Sequence, residues 1–192
     1  MILNTSTIGA LVGIAIDPGN AKVYWTQLGS IQRANLSGSN VENLIPTSSP
    51  DGIALDLDAG KMCWIDEDTI RRAHLDGSNV EDLVTGLVSP WAIALDVVRN
   101  KMYWTDPASG RIQQAHLDGS NVETITTESG FPRGIVLDLE SDKIYWTNNI
   151  AGTIKRANLD GSIEELLVAG LANPQGIASP LYTAARAGSN AL

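Results

Sequence analysis

Residues 132–167, PRGIVLDLESDKIYWTNNIAGTIKRANLDGSIEELL, hold the pattern from which the chain is built. It returns as PWAIALDVVRNKMYWTDPASGRIQQAHLDGSNVETI in 90–125, as PDGIALDLDAGKMCWIDEDTIRRAHLDGSNVEDL in 50–83 and as GIAIDPGNAKVYWTQLGSIQRANLSGSNVENL in 13–44. The in-frame tryptophans Trp25, Trp64, Trp104 and Trp146 are 39, 40 and 42 residues apart. A near-constant period of this length indicates a repeat architecture.

Each repeat divides into four short strands. A Gly-Ile-Ala-Leu-Asp segment is followed by a polar turn, then by a Lys-x-Tyr-Trp-Thr-Asp segment rich in residues that favour pleated sheet. A third strand ends at an Asp-Gly pair, or at Ser37-Gly38 in the first repeat, and Asp-Gly is a strong hairpin signal. A more polar fourth strand carries Glu42, Glu81 or Glu123. Four antiparallel strands at this period predict the blade of a β-propeller, and no helical period is present.

These motifs resemble the YWTD repeats, also called low-density lipoprotein receptor class B repeats, which form six-bladed propellers. The tetrapeptides that carry the resemblance begin at Tyr24, Cys63, Tyr103 and Tyr145, each in phase with the Gly-Ile-Ala-Leu-Asp and Leu-Asp-Gly-Ser segments. The resemblance covers residues 8 to about 178 and implies an all-β fold of YWTD propeller type.

The chain holds four complete four-stranded blades, which predicts an open or partial ring. We place the propeller domain at 1–178, with repeats at about 8–49, 50–89, 90–131 and 132–173, the start of a fifth at 174, and an off-pattern tail at 179–192. Residues 2–7 align with the outer strand of a preceding blade. The two end blades should expose apolar residues and favour self-association, the candidates being Ile14, Ile16, Trp25, Ile135, Leu137 and Trp146.

The composition of the chain excludes some classes of function. A net charge of −9 without a cluster of Lys and Arg argues against nucleic-acid binding. No apolar run is long enough to insert into a membrane. The resemblance suggests an extracellular location, although the first residues lack the basic and apolar regions of a signal peptide. The single cysteine, Cys63, replaces the Tyr of the tetrapeptide, which predicts a buried thiol.

A position that recurs in every repeat but holds a different residue type each time is not fixed by blade packing, so it can carry binding residues. The middle position of the Pro-x-Gly link between repeats is such a position, and Trp91 there is the large amphipathic side chain expected of a contact surface. The loops between second and third strands should lie on the same face. The candidate binding residues are therefore Asp51, Trp91, Arg133, Gln175, Glu67, Asp68 and Arg111. The alternative for Trp91 is packing beneath a neighbouring loop.

Other residues that recur in frame with the same type are expected to have structural roles. The four tryptophans should pack between blades, and the last tetrapeptide position (Gln27, Asp66, Asp106, Asn148) should hydrogen-bond nearby backbone. Arg33, Arg72 and Arg156 should form ion pairs.

His74 and His116 occupy equivalent positions of adjacent repeats, too far apart to share a zinc ion. Asp17, Asp56, Asp96 and Asp138 end strands at turns, with cation binding at a channel mouth as the alternative.

Two classes of function remain. The favoured one is a non-enzymatic scaffold that binds a protein or peptide through the face of the inter-blade loops, without cofactor, metal or catalytic residues. The alternative is a propeller-type enzyme with a metal or small substrate at the central channel. The mostly apolar inner strands favour the scaffold, because such an enzyme needs unique polar residues along the channel.

Overall fold

The computed structural model describes residues 11–178, which form sixteen β-strands in four separate sheets. Each sheet is one sequence repeat, with its four strands antiparallel and hydrogen-bonded in sequence order. We call the sheets blades 1 to 4. The predicted four four-stranded blades of an all-β propeller are confirmed, and no helix occurs within 11–178.

The strand bounds follow the repeat closely. Blade 1 contains β1 (Leu11–Asp17), β2 (Lys22–Gln27), β3 (Ser30–Asn35) and β4 (Glu42–Pro46). Blade 2 contains β5 (Pro50–Asp56), β6 (Lys61–Asp66), β7 (Thr69–His74) and β8 (Glu81–Val84). Blade 3 contains β9 (Ala92–Asp96), β10 (Lys101–Asp106), β11 (Arg111–His116) and β12 (Glu123–Thr127). Blade 4 contains β13 (Pro132–Asp138), β14 (Lys143–Asn148), β15 (Thr153–Asn158) and β16 (Glu165–Val168).

The core consists of three apolar layers, one between each pair of consecutive blades. Trp64, Trp104 and Trp146 are fully buried in these layers, which confirms their predicted packing role. Cys63 is also buried as predicted, and burial raises the pKa of its thiol to about 12. The repeated glycine of the Asp-Gly turn allows the close approach of blades: a Cβ on Gly119 would lie 2.2 Å from the Leu83 carbonyl oxygen of the preceding blade.

A second link between blades comes from the repeated arginine. Arg33 pairs with Glu42 in its own blade, and its Nη1 donates to the Leu75 carbonyl of blade 2 at 3.0 Å. Arg72 pairs with Glu81 and donates to the Leu117 carbonyl of blade 3 at 2.7 Å. The predicted ion pairs are confirmed, and each of these two arginines also joins its blade to the next.

The inner strands follow one another around the axis in the order β1, β5, β9, β13. Within the described residues, β1 and β13 do not pack together as the consecutive inner strands do. The position after β13 is instead occupied by residues 175–177, since a Cβ on Gly134 would lie 2.5 Å from the Gln175 carbonyl oxygen. Gly13 meets the Asp51 carbonyl oxygen of β5 in the same way, at 2.7 Å. Residues 175–177 thus lie beside β13 in the place that the next inner strand takes elsewhere, and the fifth repeat from 174 stays a prediction.

The predicted set of exposed end residues was partly wrong. Ile14 and Ile16 of blade 1 are exposed, but Trp25, Ile135 and Trp146 are buried. Ile135 and Trp146 lie on the face of blade 4 that packs against blade 3, so they belong to an internal layer. Leu137 is half-buried against that layer. The predicted outer strand at 2–7 and the tail at 179–192 lie outside the described residues.

In the part of the chain that the structure describes, no helix has the length and apolar character needed to cross a membrane.

Candidate functional site

The varied Pro-x-Gly position lies at the end of the blades where the inter-blade links and the β2–β3-type loops meet. We call this the upper end. The direction of the strands requires it, because each outer strand ends and the next inner strand begins there. Asp51, Trp91 and Arg133 are half-buried at this end, and Gln175 is exposed.

A repeated threonine fixes the backbone at three of these positions. The hydroxyl of Thr105 accepts from the Ala92 N–H at 3.2 Å and donates to the Arg133 carbonyl at 2.6 Å. Thr26 makes the same bridge from the Gly13 N–H to the Asp51 carbonyl, and Thr147 from the Gly134 N–H to the Gln175 carbonyl. One hydroxyl thus joins two successive inner strands, and it sets where each variable side chain emerges.

Blade 2 lacks this hydroxyl because Ile65 replaces the threonine. There the Gly52 N–H donates directly to the Trp91 carbonyl at 2.9 Å. These two backbone groups bond without a bridging side chain, so main-chain hydrogen bonds alone fix the backbone position of Trp91. Sequence analysis did not single out the threonines, although their in-frame repetition as the third letter of the tetrapeptide was a usable signal.

Two of the predicted binding residues form a stack. The guanidinium carbon of Arg133 lies 4.2 Å from the centroid of the Trp91 ring, within the range of a cation–π interaction. Arg133 Nη1 also donates a long hydrogen bond of 3.4 Å to Gln175 Oε1. Its Nε is buried and has no hydrogen-bond partner among the described residues. Three consecutive link positions are therefore in contact through their side chains.

Asp51 is electrostatically coupled to the same group. Burial raises the pKa of its carboxyl to about 6; the positive charge of Arg133 opposes this shift, and the negative charge of Asp66 adds to it. A half-buried carboxyl with this pKa changes its charge near neutral pH. We call Asp51, Trp91, Arg133 and Gln175 the upper cluster.

The remaining candidates lie at the same end but not in the upper cluster. Glu67 and Asp68 are exposed in the β6–β7 loop, where Glu67 takes a positive φ of 59° and its N–H donates to the Ser49 carbonyl. The carboxylate of Asp68 accepts from the neighbouring Thr69 hydroxyl. Arg111 is exposed at the start of β11. The structure thus brings four of the seven predicted residues together.

The last tetrapeptide position supports the upper loops from below. Asp66 accepts from the Ser48 and Ser49 N–H groups, and Asp106 accepts from those of Val88 and Ser89. Asn148 donates to the Ser129 carbonyl at 2.9 Å. The predicted backbone hydrogen bonds are confirmed for these three residues, and they hold the inter-blade links on which the upper cluster stands. Gln27, at the same position of blade 1, instead donates to the Ser30 hydroxyl at 3.3 Å.

A groove runs along the inner strands beside this cluster. Its volume is about 460 Å³, and Trp91 and Gln175 line it near the upper end. The rest of its lining is apolar or small, and includes Ile14, Ile53, Ile93, Ile135 and Ile177. An amphipathic stack beside an apolar groove can take an apolar side chain and bond polar groups at its rim.

The histidines and the strand-end aspartates are engaged locally, at the opposite end of the blades. His116 Nδ1 lies 3.0 Å from Ser120 Oγ, and Asp96 accepts from the Arg99 N–H at 3.0 Å. Within 11–178 no group of three or more His, Cys, Asp or Glu side chains is placed to hold a metal ion.

The fold and the repeated YWTD positions define a β-propeller with a varied upper end. A family model for the low-density lipoprotein receptor repeat class B matches residues 100–139. A chain from the crystal structure of a nidogen/laminin complex is 31% identical, with a TM-score of 0.84, over 90% of this chain and 69% of that one. The protein therefore belongs to the YWTD-repeat propeller family.

A second solved structure shares the fold at lower identity. It is a structural genomics protein of unknown function from Bacteroides thetaiotaomicron, 17% identical with a TM-score of 0.69. The alignment covers 85% of this chain and 44% of that one. No curated protein matches the sequence.

Proposed function

We propose that the protein is a non-enzymatic scaffold that binds a protein or peptide at its upper end, through the upper cluster and the mouth of the groove. The observation that carries this proposal is the Arg133–Trp91 stack. Aromatic and arginine side chains that are half-buried and rigidly placed are the residues that dominate binding energy at protein interfaces.

The backbone beneath the stack supports the proposal. The link positions are held by threonine bridges or direct main-chain bonds, so their side chains vary without altering the blades. Little ordering entropy is lost when a ligand meets residues placed in advance.

The groove favours binding over the enzymatic alternative. Its lining repeats Gly and Ile from blade to blade, which offers apolar contact rather than acid–base groups. One related propeller chain comes from a protein–protein complex, that of nidogen with laminin. For this chain we infer from that relative only the class of the partner, which is a protein or peptide.

Selection from a random peptide library displayed on phage tests the proposal. Peptides enriched on the wild-type protein should lose at least tenfold in affinity for Trp91→Ala and Arg133→Ala. The control variant is Val98→Ala, an exposed apolar residue in the β9–β10 turn at the other end of blade 3. Binding that is equally strong to all three variants, or a selection that enriches no peptide for the upper end, would overturn it.

A further inference from the structure

A repeated arginine fills the cleft between consecutive blades near their lower end, which is the end opposite the upper cluster. The side chain of Arg33 reaches from blade 1 to the Leu75 carbonyl of blade 2, and that of Arg72 reaches from blade 2 to the Leu117 carbonyl of blade 3. Each of these leucines directly follows the third strand of its blade. A guanidinium therefore occupies the same place in the first two clefts.

The third cleft, between blades 3 and 4, lacks this guanidinium. Gln114 occupies the arginine position, opposite Tyr103 in the strand register. Its shorter side chain ends within its own blade: Nε2 donates to Glu123 Oε2 at 2.8 Å, and Oε1 accepts from Lys101 Nζ at 2.9 Å. Within the described residues, the side chain of Gln114 thus makes no hydrogen bond to blade 4.

An open cavity lies in this third cleft, and we call it the lower cleft. Its volume is about 480 Å³, and both Gln114 and Leu159 line it. Leu159 directly follows β15, so it is the blade 4 equivalent of the leucines that accept from arginine in the other clefts. Other residues that line the lower cleft include Arg99, Lys101, Tyr103, Asp142 and Asp160.

Two hydrogen-bond acceptors in the lower cleft are left without a donor. The Leu159 carbonyl, whose equivalents in blades 2 and 3 accept from an arginine, accepts from no side chain within 11–178. Tyr103 is only 1% exposed, yet its hydroxyl has no hydrogen-bond partner among the same residues. In blade 4 the equivalent hydroxyl, that of Tyr145, lies 3.5 Å from Arg156 Nη1. The lower cleft thus keeps acceptors that an arginine uses elsewhere in the chain.

The charges around the lower cleft are compatible with a cation. Arg99 does not take the missing place, because its Nη1 donates to Asp96 at 2.9 Å and its Nη2 donates to Asp142. These two carboxylates also balance its charge. The carboxylate of Asp160 forms no ion pair with a described residue. Lys101 does not exclude a cation, because each of the other blades carries a lysine at this position together with its arginine.

We propose that the lower cleft binds the guanidinium group of a ligand, which takes the place that arginine side chains take in the first two clefts. The bound group donates to the Leu159 carbonyl and to the Tyr103 hydroxyl oxygen, and the carboxylates of Asp142 and Asp160 attract its charge. A planar guanidinium presents several donors in a fixed fork, which suits two separate acceptors better than a compact ammonium does. The proposal does not depend on the peptide site at the upper end.

Two sources supply this chemistry, the arginine side chain of a protein or peptide and a free guanidinium compound. NMR titrations of the isotopically labelled full chain separate them, with acetyl-Gly-Arg-Gly-amide and methylguanidinium as the probes. At least one probe should give saturable shifts of the Leu159 and Asp160 amide signals. The probe with the higher affinity identifies the source, and equal affinities assign recognition to the guanidinium alone. The matched ammonium probes, acetyl-Gly-Lys-Gly-amide and methylammonium, should each bind at least tenfold more weakly.

Two variants test the assigned contacts. Gln114→Arg fills the lower cleft from within, so it should bind neither guanidinium probe. It should also melt at a higher temperature than the wild type, because the new side chain can donate to the Leu159 carbonyl. Tyr103→Phe removes one acceptor and should weaken probe binding at least threefold. Its melting temperature should not fall, since the hydroxyl has no hydrogen-bond partner within 11–178.

Gln113→Arg is the matched control, since it adds the same side chain at the neighbouring position of β11, on the opposite face of the sheet. Blade 2 already carries Arg71 at this position, paired with Asp66, and blade 3 offers Asp106 in the same place. The variant should therefore fold and bind the probes like the wild type, with melting curves as the check on folding. The absence of saturable shifts in the wild type, equal binding of the ammonium probes, or undiminished binding to Gln114→Arg would overturn the proposal. A loss of binding in folded Gln113→Arg would do the same.

Discussion

The guanidinium of Arg133 stacks on the ring of Trp91, with 4.2 Å between the guanidinium carbon and the ring centroid. The two residues occupy the same position of consecutive repeats, 42 residues apart. Their contact turns two separate loop positions into one surface that combines positive charge with aromatic area.

A double-mutant cycle measures this stack. Trp91→Ala, Arg133→Ala and the double variant should give a coupling of about 0.5–1 kcal/mol in the free energy of unfolding, the range of partly exposed cation–π pairs. Urea unfolding supplies the four values. The same cycle with Trp91 and Arg111, which is exposed on β11, should give a coupling near zero. A zero coupling for Arg133 would mean that the stack does not persist in solution.

Trp104→Ala should destabilise the fold by about 3–5 kcal/mol, as loss of a fully buried aromatic side chain does. Trp104 is fully buried in the layer between blades 2 and 3. Trp91→Ala removes the same side chain from a half-buried loop position, and about 1 kcal/mol is expected there. Thermal melts of the two variants compare the two environments. Equal losses would contradict the assignment of Trp104 to structure and Trp91 to binding.

Thr105→Val should cost about 1–3 kcal/mol, because it leaves the Ala92 N–H and the Arg133 carbonyl without their bridging hydroxyl. Thr105→Ser keeps the hydroxyl and should recover most of that loss. Chemical unfolding of both variants gives the comparison. Should valine be tolerated as well as serine, the inner strands must be able to move together and bond directly, as they do beside Ile65.

Asp51 should make stability depend on pH between about 4 and 6. Its pKa in the folded protein is about 6, above the ordinary 3.8, so the folded chain retains a proton that the unfolded chain releases. The stability that Asp51 contributes is therefore fully present below its unfolded pKa and is lost as pH rises through 6.

The comparison with Asp51→Asn isolates this group from the other carboxylates. The wild type should lose stability relative to the variant as pH rises from 4 to about 6.5, and the difference should then stay constant. Urea unfolding at half-unit steps of pH measures it. A difference that is flat across the range would show that Asp51 is not desolvated.

The sequence by itself determined the blades. A tetrapeptide with an invariant Trp, a turn that is Asp-Gly in three of the four repeats and a small-apolar inner strand leave few alternatives, because strand pairing within a repeat is local and the signals recur in frame. Local pattern also identified the varied link positions, since a position that repeats in frame without repeating its residue is under no common packing constraint.

Tertiary structure alone decided which of those positions act together. Arg133 meets Trp91 and Gln175, whereas Glu67, Asp68 and Arg111 stay apart, because the outcome depends on side-chain direction and on the spacing of neighbouring inner strands. Each blade also has two apolar faces, and the repeat does not say which one a given residue occupies. That is why Trp146 and Ile135 are internal while Leu167 and Val168 are exposed: burial in a stack of blades depends on the neighbouring blade as well as on the repeat.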